Sequence, residues 1–123
     1  MSYIKERAQA DKPFFLYMPL ASPHTPIAPS KNFQGKSPVG SYGDFVMETD
    51  ALVGRVLAAL ESSGAAKNTL VVFTSDNGGI ESLKNAYAGT VPDSPLNSEN
   101  DPLRGQKATL YEGGTRVPFF VAG

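Results

Sequence analysis

The amino-acid sequence predicts an α/β fold in which a mostly parallel sheet is flanked by helices. Two apolar runs of strand length, Phe14–Leu20 and Thr69–Ser75, lack polar alternation, which is typical of strands covered on both faces. A segment with apolar side chains at helical spacing lies between them. Two strands joined by a helix form a βαβ unit, whose strands pair in parallel.

The first half of the chain supplies most of these elements. A short helix over Ser2–Ala10 is predicted to end before Pro13, because proline disfavours helix in the residue before it. The proline-rich stretch Ala21–Gly40 is predicted to be a loop. Ser41 is predicted to cap the next helix, with Asp44 near the positive end of its dipole and Gly64 as its stop. Its apolar face consists of Phe45, Thr49, Leu52, Val53, Val56, Leu57 and Leu60.

The second half contains fewer regular elements. The strand Thr69–Ser75 runs into the turn Asp76–Gly79, and Val117–Val121 is predicted to be a third strand. Ile80–Arg104 is a long irregular segment. Three strands with one good helix leave one sheet face poorly covered, which indicates a section of a larger α/β domain.

Composition excludes several classes of protein. With 123 residues and a net charge of -1, the chain is not a strongly basic nucleic-acid binder. No apolar run approaches the ~20 residues of a membrane span, and Met1–Lys12 has no signal-peptide core. The absence of cysteine excludes a disulfide scaffold, a Cys-ligated zinc site and a thiol nucleophile. The compartment stays unknown, because an extracytoplasmic protein can also lack cysteine.

Four side chains are candidates for chemistry. Asp76 and Asn77 offer hard oxygen ligands for Ca²⁺ or Mg²⁺ just beyond a strand, where ligands bind in α/β sheets, although the same residues also suit a simple turn. His24 follows the first predicted strand between prolines, and is either a positioned catalytic group or a loop histidine. Lys107 is either a cation for an anionic ester or a surface lysine.

Taken together, the motifs resemble those of the type I sulfatases, or arylsulfatases, of the alkaline-phosphatase-like superfamily. Four signatures occur in the family's order over nearly the whole chain. They are Phe14–Tyr17 with Pro23–Pro26; Tyr42–Asp44 leading into Met47–Asp50; Asn68–Gly78; and Leu103–Lys107 with Tyr111–Pro118.

The resemblance implies an alkaline-phosphatase-like α/β sandwich and hydrolysis of sulfate esters at a Ca²⁺ site. Asp76 and Asn77 would be metal ligands. Lys107 would contact the sulfate group, and His24 would contact the sulfate or the leaving-group oxygen, so both would be catalytic and substrate-binding residues. The substrate would be a small sulfate ester or a sulfated glycan. Family members are often periplasmic, secreted or lysosomal.

The chain departs from the family pattern at the nucleophile. The family makes a formylglycine from Cys or Ser in a Cys/Ser-x-Pro-x-Arg motif, whereas the sole x-x-Pro-x-Arg match, Asn100–Arg104, has asparagine at that position and is interpreted as coincidence. The family's N-terminal metal carboxylates are also missing. Residues 1–123 are therefore expected to be a partial, truncated catalytic domain that is inactive alone. The alternatives are a non-catalytic metal-binding or interaction remnant and a phosphoester hydrolase of the same superfamily.

Overall fold

The computed structural model describes residues 1–80 and 99–123. In chain order the described elements are helix α1 (Ser2–Arg7), helix α2 (Ser41–Ser62), a 3₁₀ turn (Ala66–Asn68), strand β1 (Val71–Thr74), the short helix α3 (Glu112–Thr115) and strand β2 (Phe119–Ala122). Most of the predicted segment Ile80–Arg104 lies outside the described residues.

A small core lies where α1 packs against the C-terminal half of α2. Ile4, Ala59 and Leu60 are buried there, and partly buried apolar side chains surround them. The surrounding residues are Met1, Phe14, Val56, Ala65, Ala66 and Val71. The predicted helix face therefore contributes to the core through Val56 and Leu60, while Leu57 remains exposed.

Helix α2 begins and ends close to its predicted bounds. Its first helical residue is Ser41, and the capping position belongs to Gly40, whose φ of 83° is left-handed. The prediction that Ser41 is the cap was therefore wrong by one residue. At the other end Gly64, with φ of 77°, follows the last turn as predicted, because glycine adopts this conformation without steric cost.

The described sheet consists of β1 and β2, which pair antiparallel with Val71 opposite Ala122 and Thr74 opposite Phe119. Both strands lie where they were predicted. β1 is shorter than its predicted segment at both ends, and β2 is shifted toward the C-terminus by one to two residues. The predicted burial of their side chains was wrong, because most of them are exposed. The mostly parallel sheet stays a prediction.

The run Phe14–Leu20 does not form a strand, and this prediction was wrong. Phe15 is 89% exposed and Tyr17 is 76% exposed. No backbone hydrogen bond of the described residues reaches residues 12–20. An apolar run becomes a strand only where a neighbouring segment pairs with it through backbone hydrogen bonds. No described segment pairs with residues 14–20 in this way. The βαβ unit built on this run is likewise not formed.

Within residues 1–80 and 99–123, no helix is both long enough and apolar enough to cross a membrane.

Candidate functional site: a polar turn, a lysine segment and a histidine loop

The turn that follows β1 presents two oxygen-bearing side chains. Asp76 is exposed and Asn77 is half-buried. The Asn77 amide nitrogen donates to the Gly78 carbonyl at 3.0 Å, and the Ser75 hydroxyl donates to the Asn77 carbonyl at 2.8 Å. With its nitrogen engaged, Asn77 offers its amide oxygen, and Asp76 offers its carboxylate, as hard ligand atoms.

The lysine segment lies directly against this turn. The Lys107 N–H donates to the Gly79 carbonyl at 2.9 Å, and the Gly78 N–H donates to the Gly114 carbonyl at 3.0 Å. A third bond, from the Gly113 N–H to the Arg104 carbonyl at 2.8 Å, connects α3 to the lysine segment. We call this junction of residues 76–79, 104–109 and 112–115 the glycine seam. It brings Asp76, Asn77 and Lys107 into one region, which sequence position alone does not do.

Glycines make the close approach of backbones in the seam possible. A Cβ at Gly78 would overlap the Gly113 carbonyl, and a Cβ at Gly113 would overlap the Gly105 carbonyl. Gly105 also has a left-handed φ of 86°. Side chains are therefore excluded at these positions for steric reasons, which accounts for glycine at positions 78, 105 and 113.

Asn100 joins the two sides of the seam and was missed as a site residue by sequence reasoning. Its Oδ1 accepts the Gly79 N–H at 3.1 Å. Its Nδ2 donates to the Gly79 carbonyl at 3.0 Å and to the Gly105 carbonyl at 3.2 Å. Asn100 and Gly79 are 21 residues apart in the chain. No local sequence pattern could therefore have indicated that they are hydrogen-bonded.

His24 lies in an exposed position at the start of the long loop. Its N–H donates to the Ala21 carbonyl at 3.0 Å, and its ring Nδ1 lies 2.7 Å from the Thr25 carbonyl oxygen. A carbonyl oxygen only accepts, so Nδ1 carries a proton and Nε2 is the ring nitrogen that can meet a substrate. In the described part of the chain, no hydrogen bond joins His24 to Asp76, Asn77 or Lys107.

Side chains of α2 anchor the loop that contains His24. The hydroxyls of Ser22 and Thr49 are 2.9 Å apart, and the Ser30 N–H donates to a Glu48 carboxylate oxygen at 2.9 Å. Glu48 is thus an anchor of this loop. Because Thr49 and Glu48 are neighbours on one helix, both ends of residues 22–30 are tied to the same rigid element.

Asp44 is the strongest of these anchors. It is only 3% exposed, and its carboxylate accepts three backbone N–H bonds, from Gly35 at 2.8 Å, Lys36 at 2.9 Å and Ser37 at 2.6 Å. These bonds, the one from Ser37 most of all, hold the pKa of Asp44 below its ordinary value, although burial raises it. The charged form is therefore the one that the loop stabilises.

The side-chain oxygens of the turn are of the type that a hard divalent cation prefers, but there are too few of them to complete its coordination. Calcium takes six to eight oxygen ligands, whereas Asp76 and Asn77 supply two side chains. Among residues 1–80 and 99–123, no three or more His, Cys, Asp or Glu side chains are grouped so that they could hold a metal ion. Asp76 and Asn77 alone therefore do not supply a complete set of calcium ligands.

Comparison with known proteins gives a consistent match. The N-acetylgalactosamine-6-sulfatase of Rattus norvegicus is 38% identical over 118 residues, covering 96% of this chain and 21% of that protein. The N-acetylgalactosamine-6-O-sulfatase of Bacteroides thetaiotaomicron is 38% identical over 114 residues, covering 90% of this chain and 22% of that protein. The chain thus spans about a fifth of the length of these curated relatives.

A solved structure extends the match to the fold. The crystal structure of Ps i-CgsB in complex with k-i-k-neocarrahexaose superposes with a TM-score of 0.77 at 29% identity, covering 98% of this chain and 25% of that one. The sulfatase family model matches residues 1–123. The chain therefore belongs to the sulfatase family, which is part of the alkaline-phosphatase-like superfamily.

Proposed function

We propose that this chain provides the metal-ligand turn, the substrate lysine and the histidine of a sulfuric ester hydrolase. The observation that carries the proposal is the hydrogen-bonded contact between the turn of Asp76 and the segment of Lys107. Through it the backbone of Lys107 lies next to the turn that carries the Asp76 carboxylate and the Asn77 amide. That combination suits a sulfate group, whose oxygens gain charge as the ester bond breaks.

Asp76 and Asn77 are the residues that would hold the divalent cation, Ca²⁺ or Mg²⁺. When bound, the cation supplies Lewis-acid stabilisation of the sulfate oxygens. Lys107 is half-buried, and its ammonium provides a second, compact positive charge for the same group. Further ligands must come from residues other than these two.

His24 is suited to the leaving-group oxygen. Since Nδ1–H is held by the Thr25 carbonyl, Nε2 donates a proton only when the ring is an imidazolium. Hydrolysis breaks the bond between sulfur and the alcohol oxygen, and that oxygen takes up a proton. We infer that His24 Nε2 supplies it.

The nucleophile lies outside this set of residues. The family's formylglycine arises from Cys or Ser in Cys/Ser-x-Pro-x-Arg, and this chain has no cysteine and no serine in such a motif. We therefore propose that residues 1–123 work as part of a sulfatase catalytic domain and have no sulfatase activity by themselves. The missing N-terminal part of that domain is the implied partner.

The proposed substrate class is a sulfated sugar. Two relatives are named for the 6-sulfate of N-acetylgalactosamine, and the similar solved structure is a complex with k-i-k-neocarrahexaose. Lysine and histidine recognise the sulfate itself, so a small aryl sulfate serves as the simplest probe.

A chimera tests the proposal. Residues 1–123 replace the matched segment of the Bacteroides thetaiotaomicron enzyme, and hydrolysis of N-acetylgalactosamine-6-sulfate is measured. We expect activity in the chimera, and a fall in kcat of about 10²–10³-fold for Lys107→Ala, because a charge that stabilises the transition state is removed. Lys67→Ala, at an exposed lysine of the 3₁₀ turn, is the matched control and should keep full activity.

Two outcomes would contradict the proposal. A chimera that unfolds cooperatively but hydrolyses no sulfate ester would indicate a non-catalytic remnant. A chimera that hydrolyses a phosphate monoester faster than the sulfate ester would favour a phosphoester hydrolase of the same superfamily.

A further inference from the structure

We propose that Asn100 is a positioning residue that fixes the Lys107 segment against the Asp76–Gly79 turn. The significance of this placement for catalysis rests on the proposed function. The placement itself rests on the side-chain hydrogen bonds of Asn100 to Gly79 and Gly105.

The Asn100 amide binds Gly79 as a backbone peptide group would. Oδ1 accepts the Gly79 N–H at 3.1 Å while Nδ2 donates to the Gly79 carbonyl at 3.0 Å. The same Nδ2 donates to Gly105 at 3.2 Å, so both amide hydrogens are used. One planar group thereby links Gly79, the last residue of the Asp76–Gly79 turn, to Gly105, two residues before Lys107.

Gly79 is the point at which Asn100 and Lys107 meet. Its carbonyl oxygen accepts from Asn100 Nδ2 and also from the Lys107 N–H, at 3.0 Å and 2.9 Å. A carbonyl has two lone pairs, so both bonds can be made at once. Any shift of Gly79 therefore moves the backbone of Lys107 with it.

The chemistry of this position requires an amide. Two carbonyl oxygens face Nδ2, and a carboxylate in its place would oppose them with negative charge and offer no hydrogen. A protonated carboxyl, by contrast, can donate to the Gly79 carbonyl through one oxygen and accept the Gly79 N–H through the other. Asn100→Asp is thus an isosteric variant whose defect depends on pH.

The first test uses the 123-residue chain and no catalysis. Amide hydrogen exchange is followed by NMR at Lys107 in the wild type and in Asn100→Asp. We expect the Lys107 protection factor to fall about tenfold at pH 7, with part of the loss recovered at acid pH relative to the wild type at the same pH. Asn32→Asp, at an exposed loop asparagine, should leave it unchanged.

Equal Lys107 protection in the wild type and Asn100→Asp at pH 7 would overturn the proposal. If Asn100→Asp does not fold, Asn100→Ser replaces it, since serine lacks both the reach and the second donor. That variant should show the same loss of protection at every pH, because it has no carboxyl group to protonate.

The second test separates positioning from stability. In the folded chimera, Asn100→Asp should lower kcat by about 10²-fold through misplacement of Lys107, with a smaller change in KM. An unchanged kcat would show that Asn100 only stabilises the fold, and would overturn the positioning role. An inactive wild-type chimera would instead refute the proposed function, while the exchange measurement would still decide the placement.

Discussion

The two parts of the candidate site are held together in different ways. The His24 loop is tied to a long helix by side chains, above all by Asp44 and Glu48. The glycine seam, which holds Asp76, Asn77 and Lys107, depends mainly on backbone bonds and on glycines where a Cβ would overlap a carbonyl group, with the Asn100 side chain as a further link. The loop should therefore respond to charge and pH, whereas the seam should respond to added volume.

The largest expected effect comes from adding one carbon to the seam. Gly113→Ala places a Cβ on the Gly105 carbonyl, so the backbones must separate, at a cost of about 1–3 kcal/mol in unfolding free energy. Denaturant unfolding measures the change.

Gly54→Ala is the matched control, because a Cβ at Gly54 meets nothing within 4 Å and this glycine lies inside α2. Replacing this helix glycine should stabilise the protein by about 0.5–1 kcal/mol. If Gly113→Ala has nearly the same free energy of unfolding as the wild type, the close packing of the seam is contradicted.

A smaller effect is expected from neutralising the loop anchor. Asp44→Asn should lower Tm and speed amide exchange at Gly35, Lys36 and Ser37, because an amide cannot accept three N–H bonds as a carboxylate does. Asp50→Asn, on the exposed face of the same helix, should change neither.

The same anchor predicts an acid dependence. Because the pKa of Asp44 is lowered on folding, its charged form contributes stability above the unfolded value of about 3.9. This contribution is lost as the pH falls through the folded pKa. Thermal melts should therefore show the difference between the wild type and Asp44→Asn at neutral pH shrinking below about pH 4. A difference that persists unchanged at low pH would show that the charge of Asp44 is not what holds the loop.

The smallest expected effect is that of calcium. Two oxygen-bearing side chains fall short of the six to eight ligands that calcium takes, so millimolar Ca²⁺ should not raise the Tm of the 123-residue chain. Differential scanning calorimetry with and without the ion measures this. A clear rise would mean that the site is complete within the chain.

Local patterns predicted the parts of the fold that local interactions determine. The 3–4 residue spacing of apolar side chains from Phe45 to Leu60 indicated α2, and Gly64 indicated its end. The turn at Asp76 followed from turn chemistry. The run Phe14–Leu20 was predicted incorrectly because hydrophobicity marks a candidate strand, whereas strand formation depends on partner segments elsewhere.

The site residues divide in the same way. Asp76, Asn77, His24 and Lys107 were proposed from their motifs, and the structure brings the first two and Lys107 into one seam. The bridging role of Asn100 was missed, because its side-chain hydrogen bonds connect segments that the sequence does not show to be neighbours. Asp44 was expected to act on the helix dipole, yet its main partners are N–H groups of the preceding loop.

The most direct measurement is the sequence of the coding DNA on both sides of residues 1–123. We predict an in-frame Cys- or Ser-x-Pro-x-Arg motif upstream, together with an acidic pair that would complete the metal site proposed at Asp76 and Asn77. A translation start with its own ribosome-binding signal at Met1, and no such motif in frame, would contradict the claim that this chain works as part of a sulfatase catalytic site.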